Sequence, residues 1–141
     1  MRLALIWAGV SVLASFIGAE RCKLCHRDVY ESWRATPHSR ASLDPGRELD
    51  AETELRCLAC HGTGNDRLSG VQCEACHGAG SDYAPPEVMI DPDKAAMAGL
   101  VRPSEATCRR CHGSDEPAHR RDFEMPEGVR WAETVHVRAR P

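Results

Sequence analysis

Apolar positions mark out one long run and two short periodic stretches. Met1-Arg2 precedes an uncharged run from Leu3 to Ala19. A short basic start, an apolar centre and small residues at Gly18-Ala19 fit a secretory signal peptide, with Ile17 tolerable three residues before a cut after Ala19. The run also reaches the lower length limit of a membrane-spanning helix. A cleaved leader over residues 1–19 is the preferred reading and an uncleaved anchor the alternative. Between Arg27 and Arg34, Val29, Tyr30 and Trp33 form an i, i+1, i+4 apolar face, which predicts a short helix. Pro37 ends or interrupts it. Residues 44–56 are charged and acidic-leaning, a solvated loop or helix, and another helix is expected from Pro92 to Leu100.

This patterning leaves one domain, residues 20–141, with little material for a conventional core. Aromatic residues make up 5% of the chain, whereas glycine (11) and proline (9) are frequent. The expected fold class is mainly α with extensive loops and little or no β. A chain this short, with so few large apolar side chains, needs covalent or metal staples to stay folded.

The cysteines supply the candidate staples. Cys57-Leu58-Ala59-Cys60-His61 and Cys73-Glu74-Ala75-Cys76-His77 place two Cys-x-x-Cys-His units with their histidines sixteen positions apart. The same unit stands at Cys22-Lys23-Leu24-Cys25-His26 and at Cys108-Arg109-Arg110-Cys111-His112, and the four motifs use all eight cysteines. Cys-x-x-Cys-His is the attachment signature of c-type haem. Its two thiols form thioethers with the haem vinyl groups and the adjoining histidine is the proximal iron ligand. Four covalent haems are therefore expected, compact in arrangement and supplying much of the apolar interior. The competing reading is zinc, because Cys57 to Gly64 and Cys73 to Gly80 also fit Cys-x-x-Cys-x-Gly-x-Gly, the zinc-module repeat of DnaJ-type chaperones. Histidine after the second cysteine in all four units, the missing Gly-x-Gly tail in the first and last, and the export-like leader favour haem. Disulfide pairing ranks third.

Iron needs further ligands. His38 follows Pro37 directly and is a candidate distal ligand. Met89 fits either a thioether ligand that raises the potential or an apolar plug at a porphyrin edge. His119 is read as a surface histidine or a further ligand. The pairs Arg109-Arg110 and Arg120-Arg121 fit haem propionates or solvent, and they are too scattered for nucleic-acid binding. The formal net charge is −3, one unit more negative once Arg2 leaves with the leader. That balance suits salt-sensitive docking on redox partner proteins.

Ser32-Trp33-Arg34-Ala35-Thr36-Pro37-His38-Ser39, together with Gly70-Val71-Gln72-Cys73-Glu74-Ala75-Cys76-His77-Gly78-Ala79-Gly80, resembles tetrahaem cytochromes of the cytochrome c-554 type, which are periplasmic electron carriers. The resemblance implies that His38 is the distal ligand of the haem held by His77 and His136 that of the haem held by His112. It also implies that the haem at His61 has no distal protein ligand. The family's histidine after the third motif has no counterpart here, since none lies between His77 and His112. The expected function is electron relay between partners in the periplasm or another exported location. Three alternatives stand beside it. One is a redox enzyme acting on small molecules at an open haem, and another is a haem-filament subunit, which would make the protein an oligomer. The third is a membrane-anchored tetrahaem quinol dehydrogenase if residues 3–19 remain, although Asp28 stands where that group has methionine. No nucleophile elbow, phosphate loop or catalytic carboxylate pair is present.

Overall fold

A computed structural model describes residues 13–42, 48–64, 68–113 and 124–138. Among these residues the architecture is eight short α-helices and one minimal β-ladder, so the expected mainly α, loop-rich class holds. The helices are α1 (Ala19–Lys23), α2 (Arg27–Arg34), α3 (Ala51–His61), α4 (Cys73–His77), α5 (Pro86–Met89), α6 (Pro92–Met97), α7 (Glu105–His112) and α8 (Gly128–Thr134). A 3₁₀ turn covers His38–Arg40. Strands β1 (Gly62–Thr63) and β2 (Leu68–Ser69) pair antiparallel, Gly62 opposite Ser69 and Thr63 opposite Leu68.

Local chemistry sets the helix ends. The bounds of α2 are those its apolar face predicts; beyond it, the Thr36 hydroxyl donates to Trp33 O at 2.8 Å and Pro37 opens the 3₁₀ turn. Asp50 caps α3 by accepting from the Thr53 amide at 2.9 Å and the Thr53 hydroxyl at 2.7 Å. This gives the described part of the acidic stretch, residues 48–56, a helical end; its residues 44–47 lie outside the described set. Asp91 caps α6 with Pro92 in its first turn. That helix stops at Met97, short of the expected Leu100. Gly99 takes φ 100° while Leu100 N donates to Ala95 O, a Schellman-type ending that glycine favours. Ser104 and Thr107 form a reciprocal capping box at the start of α7.

Few side chains are buried. Among the described residues, Ala19, Tyr30, Tyr83, Ala95 and Pro126 are buried, joined by Thr36, Thr63 and Glu74. Helix α1 packs on α2 and α4, α2 on α8, and α3 on α7. At the first of these contacts, the Tyr30 hydroxyl donates to the Glu20 carboxylate and the Lys23 ammonium sits 4.8 Å from the centre of the Tyr30 ring. Trp33 spans to the third cysteine motif, its indole N–H donating to Val71 O at 2.9 Å.

Candidate haem centres

Three of the four motifs occupy helix C-termini. Cys57, Cys60 and His61 close α3; Cys73, Cys76 and His77 make up most of α4; and Cys108, Cys111 and His112 close α7. At 3.6 residues per turn, the i, i+3, i+4 positions of the two cysteines and the histidine share one helix face. The first motif is built differently. Cys22 lies in α1, Cys25 in the turn after it, and His26 is the N-cap of α2. Gly78 ends α4 at φ 83°, and a Cβ there would lie 3.0 Å from Gly99 O, which explains why glycine follows His77.

The imidazoles are oriented from behind. Nδ1 of His61 lies 3.0 Å from Ala41 O, and Nδ1 of His77 lies 3.0 Å from Val101 O. His38 Nδ1 lies 2.6 Å from Thr134 O, and His136 Nδ1 is 2.6 Å from Val137 O. A carbonyl oxygen only accepts, so Nδ1 carries the proton in each ring and Nε2 keeps its lone pair for a metal. Desolvation holds His77 below the usual histidine range, which keeps the ring neutral and its Nε2 lone pair unprotonated.

Two imidazole pairs face each other. The His38 and His112 ring centres are 6.0 Å apart with planes at 86°. Those of His77 and His136 are 6.2 Å apart with planes at 34°. Two imidazoles bound through nitrogen on opposite sides of one metal ion, each about 2 Å from it, place their ring centres roughly 6 Å apart. Each pair joins one motif histidine to one distant histidine. The pairing differs from the one the family resemblance implies, because His38 stands opposite His112 and His136 opposite His77. The cause lies in the packing of α8 on α2. Thr134, the last residue of α8, holds the His38 ring, while Val137 N donates to the Ser32 hydroxyl at 2.8 Å. That anchor fixes the segment carrying His136 against α2 with its ring on His77.

None of the eight cysteines pairs with another in a disulfide. Burial raises Cys76 and Cys108 above the ordinary thiol value and pushes Cys111 up to about 12, so these groups stay protonated near neutrality. In the Cys22–Cys73 pair, the shared hydrogen bond raises Cys73 and lowers Cys22. Among the described residues no group of three or more His, Cys, Asp or Glu side chains is placed to hold a metal ion. A porphyrin supplies four of the six ligands of its iron, so facing pairs of imidazoles fit haem, whereas a zinc module needs four protein donors in one place. The motifs also adjoin one another in space. Cys22 hydrogen-bonds with Cys73, Cys76 lies close to Cys108 with Arg110 donating to Ala75 O, and Cys111 hydrogen-bonds with Cys60, giving the spatial order first, third, fourth, second.

The remaining candidates fall out as follows. His26 is half-buried between α1 and α2. Met89 ends α5, half-buried, and His119 lies outside the described residues. Of the arginine pairs, Arg120-Arg121 lies outside them too. Arg109 instead pairs with Glu105 at 2.6 Å, and Arg110 donates to Ala75 O at 2.6 Å. Two site neighbours carry no sequence signal. Met125 Sδ lies 3.8 Å from Cys108 Sγ. Glu74, a spacer residue inside the third motif, is 2% exposed and accepts backbone hydrogen bonds from Ile17, Gly18 and Gly80.

Comparison with known proteins bears on the fold and on the first three motifs. Residues 21–78 match the family model described as cytochrome c554 and c-prime, which covers the first three motifs. The chain shares the fold of the reduced state of cytochrome c554 from Nitrosomonas europaea, with a TM-score of 0.54 and 23% identity over 79% of this chain and 73% of that one. Comparison with curated protein sequences gives no match.

Proposed function

We propose that this chain, a c-type cytochrome similar to cytochrome c554, is an exported tetrahaem electron carrier that exchanges single electrons with redox partner proteins. The observation that carries the reading is the pair of facing imidazole sets, His38 with His112 and His77 with His136, at the separation one iron requires. Each of the four motifs would hold one haem through its two thiols, with His26, His61, His77 and His112 as proximal ligands. Bound haem supplies one-electron chemistry, and the protein sets ligands, spacing and burial. The backbone carbonyls behind the four imidazoles keep each Nε2 directed and basic. Glu105 neutralises Arg109 within the fourth motif, and Arg110 locks that motif onto the third. Among the described residues no helix is long and apolar enough to cross a membrane.

The test is the intact mass of fully matured protein, combined with haem staining and low-temperature electron paramagnetic resonance. Four haem additions are expected, with low-spin signals from the two imidazole-paired sites. Fewer additions, or zinc in place of iron, would overturn the reading.

A further inference from the structure

The segment from Ser15 to Ala19 is built into the domain. Ser15 pairs with the turn after α4, its N–H donating to Ser81 Oγ at 2.9 Å and its carbonyl accepting from Ser81 N at 3.1 Å. The Phe16 ring lies directly over Gly64, where a Cβ would meet ring carbons at 2.4 Å. The Ile17 side chain packs on Gly80. The amides of Ile17 and Gly18 donate to the buried Glu74 carboxylate at 2.9 and 2.7 Å, and Ala19 N donates to Gln72 Oε1 at 2.8 Å. Ala19 is 4% exposed and is the first residue of α1. A cut after Ala19 would remove two of the three amides that Glu74 accepts and would leave a buried carboxylate short of donors.

We propose that the leader is cut before this segment, between Ala14 and Ser15, and that Ser15–Ala19 remain in the mature protein as a strap seated on Glu74. The proposal rests on the export reading above and specifies its processing site. Both Val12-Leu13-Ala14 and Ile17-Gly18-Ala19 place alanine directly before the cut, and the former has the less bulky valine rather than isoleucine three positions before it. Both Ala14 and Ser15 are exposed. Hydrolysis there adds one water across the peptide bond, leaving a carboxylate on Ala14 of the released leader and an ammonium on Ser15. That ammonium retains the Ser81 Oγ contact. The Ser81 hydroxyl in turn donates to Asp82 Oδ1 at 2.7 Å, so the new positive charge forms next to a carboxylate.

The full-length precursor should be produced in a bacterium that attaches c-type haem, and the purified holoprotein examined by N-terminal sequencing and intact mass. A Ser15 terminus is expected, together with slow hydrogen exchange at the Ile17 and Gly18 amides. A Glu20 terminus, an uncut Met1 terminus, or rapid exchange at those amides would overturn the proposal. Ala14→Leu, at an exposed position, is expected to abolish the Ser15 terminus, and its persistence would refute Ala14 as the residue directing the cut. Haem additions read from the same spectra test the tetrahaem assignment separately, so failure of the two readings is distinguishable.

Discussion

Replacing Glu74 by glutamine should uncouple the third haem-binding helix from the segment before the first. The carboxylate is 2% exposed; Oε1 accepts from Ile17 N at 2.9 Å and Gly80 N at 2.7 Å, and Oε2 from Gly18 N at 2.7 Å. Glutamine preserves the shape but offers one accepting oxygen, and its NH₂ must face at least one of the three amides. Hydrogen bonds to a charged acceptor contribute about 1.5–3 kcal/mol each, and a buried donor left unpaired costs about 1–3 kcal/mol. Losing one such bond and stranding its donor therefore costs about 3 kcal/mol, a sizeable part of the roughly 5–15 kcal/mol that holds a domain folded. Denaturant titration of the haem-loaded protein measures the loss. Amide exchange at Ile17, Gly18 and Gly80 should speed up about 100-fold, since each 1.4 kcal/mol is roughly tenfold. Gln72→Ala is the comparison, removing two neutral bonds, from Ala19 N and to the exposed Ser69 O, for about 1 kcal/mol each at most. If Glu74→Gln loses no more than Gln72→Ala, the carboxylate is not the anchor described.

Further outcomes follow from the ligand geometry and the helix caps. His38→Leu and His136→Leu should each convert one low-spin haem to high-spin without changing the haem count; unaltered spectra would remove those residues from the ligand set. The two imidazole pairs differ in plane angle, 86° against 34°, and near-perpendicular planes leave two iron d orbitals almost degenerate. The His38/His112 signal should therefore show the larger g anisotropy and vanish in His38→Leu, and identical signals from both pairs would contradict this. The chain holds seven histidines, four of them in the motifs, so three at most serve as distal ligands for four irons. A monomer with four bis-histidine haems would break that count. Bonds from Thr53 hold the Asp50 carboxyl below its usual value. A depressed folded value means that the α3 cap is fully effective above the ordinary aspartate range and is lost as pH falls through the lowered value. Exchange at the first α3 amides should accelerate only under those acidic conditions.

The four Cys-x-x-Cys-His units and α2 were legible because both depend on neighbours in the chain. Two thiols and an imidazole that serve one cofactor must lie within a helical turn, and the apolar face of Val29, Tyr30 and Trp33 is bounded by Pro37. The ligand pairs were less so. His38 and Thr134 are 96 positions apart, and which iron each distal histidine reaches depends on how α8 lies across α2. No local pattern encodes that crossing. Glu74 carries no signal in the sequence, since burial of a charged side chain between two cysteines becomes visible only when the amides that donate to it are placed. The early stop of α6 was signalled by Gly99, which the helical pattern through Leu100 obscured.

The two positions between the cysteines would take no part in attaching c-type haem, and in three of the four motifs one of them makes a tertiary contact instead. Glu74 binds the segment before the first motif, Arg110 of the fourth motif reaches Ala75 of the third, and Lys23 of the first lies over Tyr30 and near Glu20 and Glu31. The cysteines and the histidine are therefore common to all four units, while the spacers of the first, third and fourth make contacts particular to each. Exchanging the Glu-Ala and Arg-Arg pairs would leave every cysteine and histidine in place and every unit recognisable to the machinery that joins haem to protein. The product would hold its full complement of cofactors on a chain that no longer knows which of them are neighbours.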